Sequence, residues 1–122
     1  MKQKLLLVDD SGLARRSMRA MLEADGFEVV EAGDGLAALE QYFVEKPGVV
    51  ILDLVMKGMY GLEVLSKLRE LDPAARVVVV TADVQDSSQR LVNEAGASAF
   101  INKPVDKNRL LSAIRSVLEG SD

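Results

Sequence analysis

The sequence predicts an α/β fold: a five-stranded parallel sheet in the order 2-1-3-4-5, covered on both faces by helices as a doubly wound (βα)5 sandwich. Three observations lead there. Short apolar runs and helical stripes alternate five times, the pattern of repeated strand–helix units. The third and fourth runs, residues 49–52 and 77–80, are continuous in Val, Ile and Leu with no polar alternation, as parallel strands buried on both faces are. The chain has 122 residues, enough for one core; right-handed crossovers limit the topologies, and 2-1-3-4-5 is the common order for five strands in a chain of this size. The expected organisation is a single domain over residues 1–122.

The first strand is read at 5–8, where Leu5 to Val8 run up to Asp9 and Asp10. Ala14, Met18, Met21 and Leu22 then recur at i, i+4, i+7 and i+8, one apolar face of a helix, which Gly26 ends. The second strand is read at 28–31 around Val29 and Val30. Asp34 reads as the N-cap of a second helix, with Leu36, Leu39 and Phe43 as its stripe and Pro47 as its stop. After the strand at 49–52, Val64, Leu65, Leu68 and Leu71 mark a third helix that Pro73 ends. The strand at 77–80 precedes a fourth helix from about residue 86 to 95, with Gly96 as stop. A strand at 99–101 precedes a fifth helix marked by Leu110, Leu111, Ile114, Val117 and Leu118 and stopped by Gly120. Met18, Met21, Met56 and Met59 read as gap-filling core. Arg15, Arg16 and Arg19 lie off the first helix's stripe, on what reads as a solvated face open to docking.

Composition removes several chemistries. There is no cysteine and no histidine, which excludes disulfides, thiolate nucleophiles, Ser-His-Asp catalysis and His- or Cys-ligated metals. Fifteen basic and nineteen acidic residues leave a net charge of −4, poor for sequence-independent nucleic-acid binding. No apolar run approaches the ~20 residues of a membrane span, and the run after Lys4 meets acid too soon for a signal-peptide core. A cytoplasmic protein is expected, with no nucleic-acid or membrane partner.

Ligands of such sheets bind beyond the carboxyl ends of the strands. Asp9 and Asp10 follow strand one, Asp53 follows strand three, Thr81 strand four, and Lys103-Pro104 strand five. Strands one and three are neighbours in the predicted order, so three carboxylates crowd one pocket. Two carboxylates ~4 Å apart repel by about 4 kcal/mol at an effective dielectric near 20. Such a cluster calls for a cation, and without His or Cys the hard cation Mg2+ suits it. With Lys103 as a mobile positive charge and Thr81 as a hydroxyl donor, the set suits a phosphoryl group.

The segments VDDSGLARR, ILDLVMKGMYG, VVTAD and NKPVD, each at a strand end and in this order, resemble the receiver domain of two-component response regulators, with its CheY-like, flavodoxin-like fold. The resemblance covers essentially the whole chain. It implies a signalling domain rather than an enzyme acting on other substrates. Asp53 would be the phosphoacceptor, receiving its phosphoryl group from a phosphohistidine on a histidine kinase or phosphotransfer protein. It implies Mg2+ on Asp10, Asp53 and the backbone carbonyl of Val55, with Asp9 acting mostly through metal-bound water. Lys103 would pair with Asp53 and then with a phosphoryl oxygen, held inward by a cis Lys103-Pro104 bond. Thr81 would hydrogen-bond another phosphoryl oxygen, and the small Ala82 would leave it room. Phe100 stands at the position of the switch aromatic, where the family often has Tyr; Lys57 and Tyr60 also depart from the commonest pattern. The output surface would be the face of helix four, strand five and helix five, rimmed by Arg90, Asn93, Glu94 and Arg109. Val55, two residues past Asp53, would shield the phosphoryl group from water, and Asp83, two residues past Thr81, would offset this only in part by holding a water.

Two other classes fit less well. A phosphatase of the haloacid dehalogenase type needs Asp-x-Asp-x-Thr after the first strand, and this chain has Asp9-Asp10-Ser11-Gly12. A flavodoxin-like electron carrier needs a phosphate-binding loop there, which two aspartates would repel.

Overall fold

Strand and helix alternate along the chain in the predicted order. The computed structural model describes residues 2–56, 60–82 and 86–120; Lys57, Met59 and Asp83 lie outside the described residues. The elements are β1 (Lys4–Val8), α1 (Gly12–Ala24), β2 (Glu28–Ala32), α2 (Gly35–Glu45), β3 (Val49–Asp53), α3 (Gly61–Leu71), β4 (Val77–Thr81), α4 (Asp86–Glu94), β5 (Ala99–Asn102) and α5 (Lys107–Leu118). The sheet order is β2-β1-β3-β4-β5, with every neighbouring pair parallel. None of the described helices is long and apolar enough to cross a membrane.

The period-2 alternation of strand side chains sorts the core into two layers. Leu6, Val8, Val50, Leu52, Val77 and Val79 meet α2, α3 and α4 through Ala38, Tyr42, Val64, Leu65, Leu68 and Val92. Leu5, Leu7, Val49, Ile51, Val78, Val80 and Ile101 meet α1 and α5 through Leu22, Leu110, Leu111 and Ile114. Each fully buried Val, Leu or Ile contributes about 1.5–3 kcal/mol over its exposed state. β3 and β4 are buried along their whole length, which is why their runs carry no polar alternation. β-Branched Val suits that pleated, two-sided burial.

Two strands run further than their apolar residues. β3 takes in Asp53, opposite Val80, and β4 takes in Thr81, opposite Asn102. Both residues therefore leave the sheet from backbone already held in the ladder, which limits their freedom.

The helix faces differ from expectation in three places. In α2 the expected stripe of Leu36, Leu39 and Phe43 is met only by Leu39, which packs against the core; Leu36 and Phe43 are 65% and 46% exposed, while Ala38 and Tyr42 are buried together with Gly35. This helix is apolar almost all round, so periodicity does not choose its face. A tertiary contact does: the Tyr42 hydroxyl donates to Asp72 at 2.7 Å, while the Asp34 carboxylate caps the helix as expected, accepting from the Ala37 N–H at 2.8 Å. In α3, Val64, Leu65 and Leu68 are buried but Leu71, the last residue of the helix, is exposed. On α1, Arg15 and Arg19 are not a free solvated face, because both pair with Glu31 on β2. Met56 is buried as expected, whereas Met18 and Met21 are only partly so.

Candidate functional site

Alternation continues past the core and assembles the site. Leu5 and Leu7, Val49 and Ile51, and Ala99 and Ile101 face the α1–α5 layer. One further step of two residues along each strand brings Asp9, Asp53 and Lys103 out on the same side of the sheet. The Lys103 Nζ lies 3.5 Å from Asp9 Oδ2 and 3.5 Å from Asp53 Oδ2. Its long stem spans from β5 across β4 to reach them. The Lys103-Pro104 bond is cis, and the Lys103 N–H donates to the Thr81 carbonyl at 2.7 Å.

Asp9, Asp10 and Asp53 each present a carboxylate oxygen within 4.8 Å of the others. Asp9 and Asp53 are buried and Asp10 is exposed, so the cluster has a solvent-facing side. Asp9 Oδ1 accepts from the Ser11 N–H at 2.9 Å, and Asp53 Oδ1 accepts from the Val55 N–H at 3.2 Å. Burial pushes the Asp53 carboxyl above its ordinary range; Lys103 and the Val55 N–H pull it back, and Asp9 pushes it up again. A donor set made only of hard oxygens, open to water on one side, fits a small divalent cation that keeps part of its hydration. The pocket is therefore one that could bind such a metal.

Thr81 is fully buried and Val55 is 53% exposed beside the cluster; Ala82 is exposed. Phe100 is not in the pocket. It is half-buried, opposite Val79 on β4, and packs on the layer beneath α2, α3 and α4. An open cavity of about 290 Å³ adjoins the cluster, lined by Asp9, Met18, Met21, Lys103 and Val105 among others.

Two supports of the site escape sequence reading. A Cβ at Gly61 would stand 2.6 Å from the Asp53 carbonyl oxygen and 2.6 Å from the Leu54 Cα. Only glycine lets the start of α3 press against the backbone that carries Asp53, where the Gly61 N–H donates to the Leu54 carbonyl at 2.9 Å. The glycine is visible in the chain, but nothing local says what approaches it. The other support is Arg15, which donates to the Asp9 carbonyl oxygen; in sequence it is only an arginine off the apolar stripe.

Comparison with known proteins agrees with this geometry. The chemotaxis protein CheY of Bacillus subtilis is 36% identical over 119 residues, covering 97% of this chain and 99% of that protein. A CheY-like receiver domain protein from Methanospirillum hungatei superposes with a TM-score of 0.92 at 29% identity, over 98% of this chain and 95% of its own. The CheX–CheY–BeF3–Mg2+ complex from Borrelia burgdorferi matches with a TM-score of 0.89 at 30% identity, over 94% of this chain and 88% of that chain. The profile of the response regulator receiver domain matches residues 5–115. The chain thus belongs to the response regulator receiver domains, the CheY-like signalling modules of two-component systems.

Proposed function

We propose that residues 1–122 act as one receiver domain that takes a phosphoryl group onto Asp53 from a phosphohistidine of a partner histidine kinase or phosphotransfer protein. A carboxylate oxygen of Asp53 attacks phosphorus, the P–N bond breaks, and the imidazole leaves with the bonding pair. The product is an aspartyl acyl phosphate. The observation that carries this reading is the buried Asp53 carboxylate, with Lys103 Nζ 3.5 Å from it and from Asp9, at the end of a central strand. As phosphate charge arrives, Lys103 exchanges its carboxylate partners for a phosphoryl oxygen. The Thr81 hydroxyl donates to a second oxygen, and Ala82 leaves space beside it.

Asp9, Asp10, Asp53 and the Val55 carbonyl would hold Mg2+, which when bound offsets the carboxylate repulsion and the charge of the incoming phosphoryl group. The Borrelia burgdorferi relative crystallised with CheX, BeF3 and Mg2+ supports a phosphoryl-like ligand, Mg2+ and a protein partner for this chain. The proposed output face comprises α4, β5 and α5, where Arg90, Asn93, Glu94 and Arg109 are exposed; a partner, an output domain or a second copy would dock there.

The test is intact mass after incubation with acetyl phosphate. The wild type gains one acid-labile phosphate in Mg2+ and none in EDTA, and Asp53→Asn gains none. Labelling of Asp53→Asn at the wild-type rate overturns the assignment.

A further inference from the structure

Asp9 and Asp10 share one planar peptide group, so whatever holds its carbonyl oxygen helps fix the backbone from which both carboxylates leave, the Asp9 carboxylate being turned further by the Ser11 N–H. That oxygen accepts a hydrogen bond from Arg15 Nη1, early in α1. On the other side of the same residue, the Asp9 N–H donates to the Ala32 carbonyl at 3.2 Å. Arg15 is itself braced: its Nε donates to Glu31 Oε1 at 2.9 Å, and Glu31 Oε2 is taken by Arg19 Nη1 at 2.8 Å. The Arg15 and Glu31 side chains are only 22% and 23% exposed, so water competes little for this pair. Gly33 leaves room for it, since a Cβ there would lie 3.1 Å from Arg15 Nη1. A guanidinium fork serves the carboxylate and the carbonyl at once, which the single point charge of a lysine does not.

We infer that Arg15, braced by Glu31 and seated over Gly33, is a positioning residue that orients the Asp9–Asp10 peptide for binding of the divalent cation. This rests on the reading of the acidic pocket as an Mg2+ site. The arginine acts through the main chain and touches neither the metal nor the phosphoryl group.

Coulomb's law separates this role from a charge effect by sign. Arg15 is a positive charge beside a site for a dication, so its removal by charge alone tightens Mg2+ binding. Loss of orientation weakens it, and outer-shell partners of metal ligands typically contribute about 10–100-fold in affinity. The experiment is calorimetric titration of the full chain with Mg2+, followed by labelling with acetyl phosphate across Mg2+ concentrations. Arg15→Gln is expected to bind Mg2+ about tenfold more weakly. Its labelling rate at saturating Mg2+ stays near wild type, while the Mg2+ needed for half that rate rises in step. Gly33→Val crowds the guanidinium without altering any charge and moves affinity the same way, and Arg15→Lys recovers only part of the loss. Arg115→Gln, which removes an equal charge from a pair with Asp25 at the far end of α1, binds like the wild type. Mg2+ affinity in Arg15→Gln equal to or tighter than wild type overturns the inference. If Arg15→Gln fails to give the wild-type circular dichroism spectrum, Gly33→Val decides, and unchanged affinity there overturns the inference. A wild type that binds no Mg2+ overturns the metal reading itself, and this inference with it.

Discussion

Asp53 sits between opposed forces: burial and Asp9 disfavour its charge, while Lys103 and the Val55 N–H favour it. Val55, two residues on, is 53% exposed; in the proposed phosphorylated form it would flank the approach of the water that hydrolyses the acyl phosphate. A β-branched apolar side chain neither orders that water nor bends aside easily, so the phosphorylated form is expected to be long-lived. Val55→Asn supplies a hydrogen bond to the water worth about 1 kcal/mol, and dephosphorylation should quicken about fivefold. Loss of phosphate followed by intact mass reads this directly; an unchanged rate removes the shielding role. Gly61 offers a second test at this scale. Its Cβ position lies 2.6 Å from backbone atoms rather than from a side chain that can turn away, so Gly61→Ala forces a backbone shift. Overpacking of this kind costs about 1–3 kcal/mol, read as a lower urea midpoint, and labelling of Asp53 should slow with it.

Among the elements, β4 and β5 connect the pocket to the proposed output face. Val77 and Val79 point toward the α2–α4 layer, and Thr81, one alternation further, continues that direction. Phe100 faces the same layer, opposite Val79. A Thr81 drawn toward phosphoryl oxygens vacates space on the side where Phe100 stands, and Phe100 has no hydroxyl to strand on moving inward. Phe100→Ala is therefore expected to leave labelling of Asp53 nearly intact while weakening phosphorylation-dependent association, measured with and without beryllofluoride. If the mimic-induced change in affinity is undiminished, Phe100 is ordinary packing. The helices carry a separate tie. Burial, and then the bond to Asp72, pushes the Tyr42 hydroxyl from 10.0 to about 12, while that same bond, with the Ala74 N–H, holds Asp72 below its usual 3.8. Raised Tyr42 contributes stability present below its unfolded value and lost as pH rises through the folded one. Lowered Asp72 contributes stability present above its unfolded value and lost as pH falls through the folded one. Tyr42→Phe should cost about 1 kcal/mol near neutral pH, and its deficit against the wild type should shrink above pH 10.0 and below pH 3.8, the unperturbed values of the two groups. Urea melts of both proteins across pH measure it.

At the scale of the molecule, three carboxylates lie within 4.8 Å of one another at one end of the sheet, and the single ammonium of Lys103, paired with Asp9 and Asp53, offsets only part of their repulsion, so the proposed cation would stabilise the fold. A ligand that binds only the folded state adds stability by mass action, about 1.4 kcal/mol at ten times its dissociation constant. For a domain of this size that raises the thermal midpoint by about 5 °C. Calorimetry in Mg2+ and in EDTA should show this increment, and Asp10→Asn should lose most of it; equal midpoints with and without Mg2+ would remove the cation from the pocket.

The sequence by itself determined the alternation of strand and helix, the buried central strands and the residues at their carboxyl ends. These are carried by local periodicity and by position along the chain; right-handed crossovers limit how they can be wound, and the order found, β2-β1-β3-β4-β5, is the common one for five such units. The convergence of Asp9, Asp53 and Lys103 was legible for the same reason, since position at a strand end and strand order need no knowledge of side-chain packing. Tertiary structure alone decided which face of α2 turns inward, because that helix is apolar almost all round and a partner remote in sequence, Asp72, holds Tyr42. It alone decided that Arg15 faces Asp9 and Glu31 rather than water, and that Gly61 lies against the backbone of Asp53. In each case the deciding atom belongs to another element, and its distance is set by how whole elements pack, which no window of sequence contains.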